Sequence, residues 1–112
     1  MIHGNVVSIG GGPGLGGPYT NFPIKDNTID GDLIVLGWQG AWVGAIRNTV
    51  GGSLIFSGNR SVQDTDSNEV QTNTVRGNLI CLLTPPAAHV NPADAGLPNT
   101  VGGHKIGQCA GL

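Results

Sequence analysis

Charge is scarce in this chain. Lys and Arg number 5 and Asp and Glu 7 among 112 residues, a charged share of 11% against roughly 25% in an ordinary globular domain. So few cations make no basic patch, which argues against nucleic acid as a partner. No apolar run approaches the ~20 residues of a membrane helix, so membrane insertion is not expected. No charged stretch followed by an apolar core opens the chain, so no signal peptide is read there, and the sequence could be a mature or excised piece of something longer. Stretches of eleven or more residues with an apolar period of 3.6 are missing too, which removes helices.

What is present is glycine, 20 residues of it, with short β-branched runs punctuated by Gly, Asn, Asp and Pro. The chain reads as one all-β domain over residues 1–112. Four of its segments align without gaps: "NTIDGDLIV" at 27–35, "NTVGGSLIF" at 48–56, "NTVRGNLIC" at 73–81 and "NTVGGHKIG" at 99–107, with a partial copy, "IHGNVVS", at 2–8. The anchors Ile2, Ile29, Val50, Val75 and Val101 are spaced by 27, 21, 25 and 26 residues.

The columns of this repeat have physical content. Two residues after each anchor stands Gly4, Gly31, Gly52, Gly77 or Gly103, which suggests a bend with positive φ or a tight corner. Asn5, Asp32, Ser53, Asn78 and His104 follow, and then an apolar strand. Ahead of the anchors, Asn27, Asn48, Asn73 and Asn99 form one column and Thr28, Thr49, Thr74 and Thr100 another. Coils of this length with sharp corners describe a parallel β-solenoid, in which like residues stack ~4.8 Å apart. The spacings are not multiples of six, which favours a small right-handed parallel β-helix of about four to five coils. Asn over Asn then builds an asparagine ladder. A β-sandwich, the alternative, leaves the once-per-coil motif unexplained.

"NTVRGNLIC" and the ending "NTVGGHKIGQCAGL" resemble the Asn/Gly-rich repeat segments of secreted actinobacterial proteins of unassigned role. The resemblance covers about half of the chain. It implies an extracytoplasmic β-helix, secreted or at the cell surface, and nothing about activity. Such repeats often carry a polar residue where this chain has Ile34, Ile55 and Ile80.

Alternation along the strands forces a choice of inner face. Leu33, Leu54, Leu79, Val35, Phe56 and Cys81 are placed inside with the anchors. Val7, Ile34, Ile55, Ile80 and Ile106 then form an apolar stripe outside, ~20 Å long, and such a stripe marks a contact surface. Either a second copy or a protein partner covers it, or the chain's own Pro-rich segment 84–98 does. Cys81 and Cys109 lie on neighbouring coils with the same facing, so a small shift of the last coil allows a disulfide, and a disulfide implies an oxidising compartment.

Chemistry is thin. "DTDSNE" at 64–69 resembles the start of a calcium loop but has Glu69 and Val75 where an EF-hand needs Gly and Glu, so it reads as a solvated loop. His3, His89 and His104 do not converge. Asp30 and Arg76 share a column with Gly51 between them, roughly 10 Å apart. Asp30 and Asp32 flank a corner. No metal, cofactor or enzyme activity is therefore expected. A single Thr column falls short of the two per coil of a flat ice-binding array. Trp38 and Trp42 in "GWQGAWVG" would serve as core or oligomer contacts, or as a platform for a glycan. Finally, Gly12, Gly14 and Gly17 in "SIGGGPGLGGP" fit G-x-G-x-x-G. A dinucleotide loop needs a helix immediately afterwards, but here Pro18 and Pro23 bracket "YTNF". The run reads as a loop extruded at a corner.

The function expected from these residues is a non-enzymatic structural or adhesive module that assembles through the stripe. A carbohydrate-binding module is the competing class. Ice binding or a degraded carbohydrate-active enzyme stands third.

Overall fold

Pairs of β-branched residues are too short to form a sheet alone. In the computed structural model each pair finds its hydrogen-bond partners in the next copy of the motif. The structure describes residues 1–12, 21–61 and 68–112. A first coil carries β1 (Val6–Ile9) and β2 (Asn21–Lys25). The second carries β3 (Thr28–Ile29), β4 (Leu33–Leu36), β5 (Gln39–Gly40) and β6 (Trp42–Ile46). The third repeats this pattern with β7 (Thr49–Val50), β8 (Leu54–Ser57), β9 (Arg60–Ser61) and β10 (Glu69–Gln71). A fourth holds β11 (Thr74–Val75), β12 (Leu79–Leu82) and a 3₁₀ turn, Pro92–Asp94, and the last coil supplies β13 (Thr100–Val101) and β14 (Lys105–Gly107).

Strands β1, β4, β8, β12 and β14 make a five-stranded sheet, β3, β7, β11 and β13 a four-stranded one, and β2, β6 and β10 a three-stranded one. Every ladder among the described residues is parallel. The molecule is an all-β parallel solenoid of about four turns.

The anchors stack in register, Ile2 on Ile29, then Val50, Val75 and Val101. So do Val6, Leu33, Leu54 and Leu79, with Lys105 closing the column. Leu33, Leu54, Leu79, Val35, Phe56 and Cys81 are fully buried, and Val43, Ala45 and Val70 complete the core from the three-stranded sheet. Each large aliphatic side chain placed inside stabilises the fold by about 2 kcal/mol. The expected inner face is the observed one.

Two polar ladders run along the corners. The Asn27 backbone N–H and Nδ2 both donate to Asn48 Oδ1 at 3.1 Å. Asn48 repeats this toward Asn73, and Asn73 toward Asn99. At the next corner the direction reverses: the N–H groups of Asp32, Ser53, Asn78 and His104 donate to Asn5 Oδ1, Asp32 Oδ1, Ser53 Oγ and Asn78 Oδ1 of the preceding coil.

This second ladder decides between the two readings of the glycine column: the tight corner is present, and the positive φ holds only at Gly4. Gly4 has φ +96°, but Gly31, Gly52, Gly77 and Gly103 are not in the left-handed region. A Cβ on Gly77 would lie 2.6 Å from Ser53 Oγ and 2.8 Å from the carbonyl oxygen of Gly52. Close stacking of backbone on backbone, with a polar side chain wedged between coils, is what excludes a side chain there.

The Pro-rich segment 84–98 does not cover the outer stripe. It stacks below β10: His89 bridges Glu69, the Val70 N–H donates to the carbonyl of His89 at 3.0 Å, and the Thr72 N–H to that of Leu97 at 2.8 Å. It completes the third side of the fourth coil, where buried backbone groups on β10 require partners.

Candidate functional site

Val7, Ile34, Ile55, Ile80 and Ile106 stack in register on the outer face of the five-stranded sheet. The end members are the most open, Val7 at 52% and Ile106 at 39% exposure, while Ile34, Ile55 and Ile80 are half-buried. Each central side chain is shielded by its neighbours one strand spacing above and below. Beside this column runs a second that sequence reasoning missed: Ile9, Leu36, Ser57 and Leu82, also in register. Ile9 is 76% and Leu82 43% exposed. Reading each strand two residues further would have found it, because same-face residues recur at i+2.

The two tryptophans are not brought together. Trp38 belongs to the core cluster, and its ring lies 6.0 Å from that of Phe22. Trp42 is also buried, 8% exposed, but lies outside that cluster, opposite in parity to Val43 and Ala45 on the outer side of the three-stranded sheet, so neither indole is an open platform. There its Nε1 donates to Glu69 Oε1 at 2.9 Å, and Lys25 Nζ sits 5.3 Å from the ring centre. Gly44 leaves the space that this indole occupies. Trp42 lines a cleft of about 380 Å³ with Lys25, Arg47, Glu69, Gln71 and Asp94. At its edge Arg47 Nε and Nη2 donate to the two carboxylate oxygens of Asp26 at 2.7 and 3.0 Å. That hydrogen bonding holds the Asp26 carboxyl below its ordinary pKa and raises that of Arg47.

Thr28, Thr49, Thr74 and Thr100 form one exposed column on the four-stranded sheet, beside a shallow groove of about 610 Å³ that also reaches Asp30, Gly51 and Arg76. Gly51 stands between Asp30 and Arg76, and Asp30 instead accepts from His3 Nδ1 at 2.6 Å. Cys81 and Cys109 form a disulfide with Cα atoms 5.2 Å apart. Cys81 faces Gly107 in the ladder, so the chain reaches Cys109 through the turn that follows β14 rather than through a shifted strand. Of the segment 64–69 read as a solvated loop, residues 64–67 lie outside the described residues, while Asn68 and Glu69 are buried and Glu69 begins β10. Gly14 and Gly17 of the glycine loop also lie outside the described residues. Among the described residues no group of His, Cys, Asp and Glu converges as a metal site, and no helix is long and apolar enough to cross a membrane.

The fold and these surfaces define the class, a small disulfide-linked parallel β-solenoid. No family model, curated protein or solved structure matches the chain.

Proposed function

We propose that this chain is a non-enzymatic structural or adhesive module that works outside the cytoplasm and docks a second copy of itself through the outer face of its five-stranded sheet. The observation that carries the reading is the pair of adjacent outward apolar columns, with Val7, Ile9, Leu82 and Ile106 open to solvent. Segment 84–98 stacks on another side, below β10, and does not cover this face.

A second copy is the occupant favoured by the face itself. Its two apolar columns hold no charged side chain, so two copies meet there without like-charge repulsion. Its apolar centre spans roughly 20 by 14 Å, about 300 Å², while a standard interface takes about 800 Å² per partner. The flanking polar column from Asn5 to Asn78 supplies part of the remainder as a rim. The disulfide supports an oxidising, extracytoplasmic setting, and so does the resemblance to secreted Asn/Gly-rich repeats.

Size-exclusion chromatography with light scattering tests the proposal. A dimer is expected, and Ile55→Lys or Ile80→Lys should release a monomer that keeps the wild-type circular dichroism, because both side chains sit on the outer face, with the thermal midpoint lowered and no longer dependent on protein concentration. A wild-type chain that stays monomeric at millimolar concentration overturns self-association.

A further inference from the structure

We infer that the cleft over Trp42 is a binding site for a single sugar residue, independent of the docking face. The cleft gathers an unusual share of this chain's polarity. Lys25 and Arg47 are two of only 5 cationic side chains, and Glu69 and Asp94 two of only 7 acidic ones. Glu69 and Gln71 are each about 1% exposed. Burying a carboxylate and an amide costs free energy, which the Trp42 Nε1–H on Glu69 and the Asn91 N–H on Gln71 offset, so the two form a fixed polar floor beneath the exposed Lys25, Arg47 and Asp94.

The side chains are held in position. Trp42 is fixed by Glu69 at 2.9 Å, Gln71 Oε1 accepts from the Asn91 N–H at 2.7 Å, and Asp94 accepts from Asn91 Nδ2 at 3.1 Å. Fixed donors and acceptors are what a directional ligand requires.

Charge selects the ligand class. Cations line the side formed by the first two coils and carboxylates the side formed by the third and fourth, so a simple anion or cation is repelled from one half. A neutral polyol satisfies both halves, its oxygens accepting from the exposed Lys25 and its hydroxyls donating to the exposed Asp94, while the buried Glu69 and Gln71 floor the cleft. A zwitterion fits less well, because the Arg47 fork is already engaged by Asp26. The volume of about 380 Å³ lies at the small end of ligand sites and suits one ring rather than an oligosaccharide.

The test is a glycan array with the intact disulfide-bonded protein, followed by calorimetry with the free monosaccharide shared by the bound glycans. Lys25→Met and Asp94→Asn, which keep side-chain shape, should each weaken binding at least tenfold with the thermal midpoint unchanged. Ile55→Lys should bind like wild type, which separates this site from the docking face. No glycan retained overturns the inference. So does binding indifferent to both cleft variants, or a thermal shift with free amino acids and none with sugars.

Discussion

Leu83 stands where three other coils have glycine. Following the register of Ile9, Leu36, Ser57 and Leu82, the next residues are Gly10, Gly37, Gly58 and Leu83, with φ of 72°, 69°, 66° and 48°. The left-handed conformation costs an L-residue about 1–2 kcal/mol. Glycine avoids that strain but loses about 0.5–1 kcal/mol more conformational entropy on folding. Leu83 is 81% exposed, so little packing is lost by removing it. Leu83→Gly is therefore expected to stabilise the protein by about 0.5–1 kcal/mol, read as a higher urea midpoint at constant slope. A lower midpoint would mean that Leu83 draws more from its contacts around Pro85 and Pro86 than its backbone loses.

Repetition makes single residues into elements, and the asparagine ladder is the clearest case. Asn48 accepts from the Asn27 backbone and side chain, and its own Nδ2 donates to the Ile24 carbonyl and to Asn73. It is 1% exposed. Asn48→Ala leaves several of these groups buried without partners and should cost about 2–4 kcal/mol. Asn27, half-buried at the ladder's end, should cost only about 1 kcal/mol as alanine. Equal losses in chemical denaturation would contradict a ladder whose interior members satisfy their neighbours. These columns were legible in the sequence because stacking places identical positions one above another, so Asn27 to Asn99 and Leu33 to Leu79 could be read from alignment alone. The tight corner at the glycine column was legible, but its cause was not, because the space at Gly77 depends on where Ser53 of the coil above sends its hydroxyl. The Trp42 cleft was hidden for a similar cause: Lys25, Glu69 and Asp94 have no common spacing, and only the return path of segment 84–98 below β10 brings Asp94 to the other two.

At the scale of the whole molecule, a solenoid's stability rests on contacts between neighbouring coils. Residues 99–112 are tied to their surroundings in three ways. The Leu112 carbonyl accepts from the Asn99 N–H at 2.8 Å and its Nδ2 at 3.2 Å, the same pair of donors that each asparagine above sends to the next. Gln108 exchanges hydrogen bonds with the Thr84 backbone at 3.1 and 3.0 Å. The disulfide ties Cys109, fully buried, to Cys81 across 28 residues of sequence. A closure of that length is worth about 3–4 kcal/mol in the chain-entropy picture. That stabilisation acts on the last coil first, because nearest-neighbour contacts carry a solenoid's stability. Cys109→Ala is thus expected to raise amide exchange through residues 99–112 while β4 and β8 keep their protection. The same variant should weaken self-association, since Ile106 forms one end of the docking face and moves with this coil. Uniform loss of protection across all coils would instead make the disulfide a brace for one global unfolding unit. Intact assembly beside a frayed last coil would place the contact surface on the other coils of the five-stranded sheet.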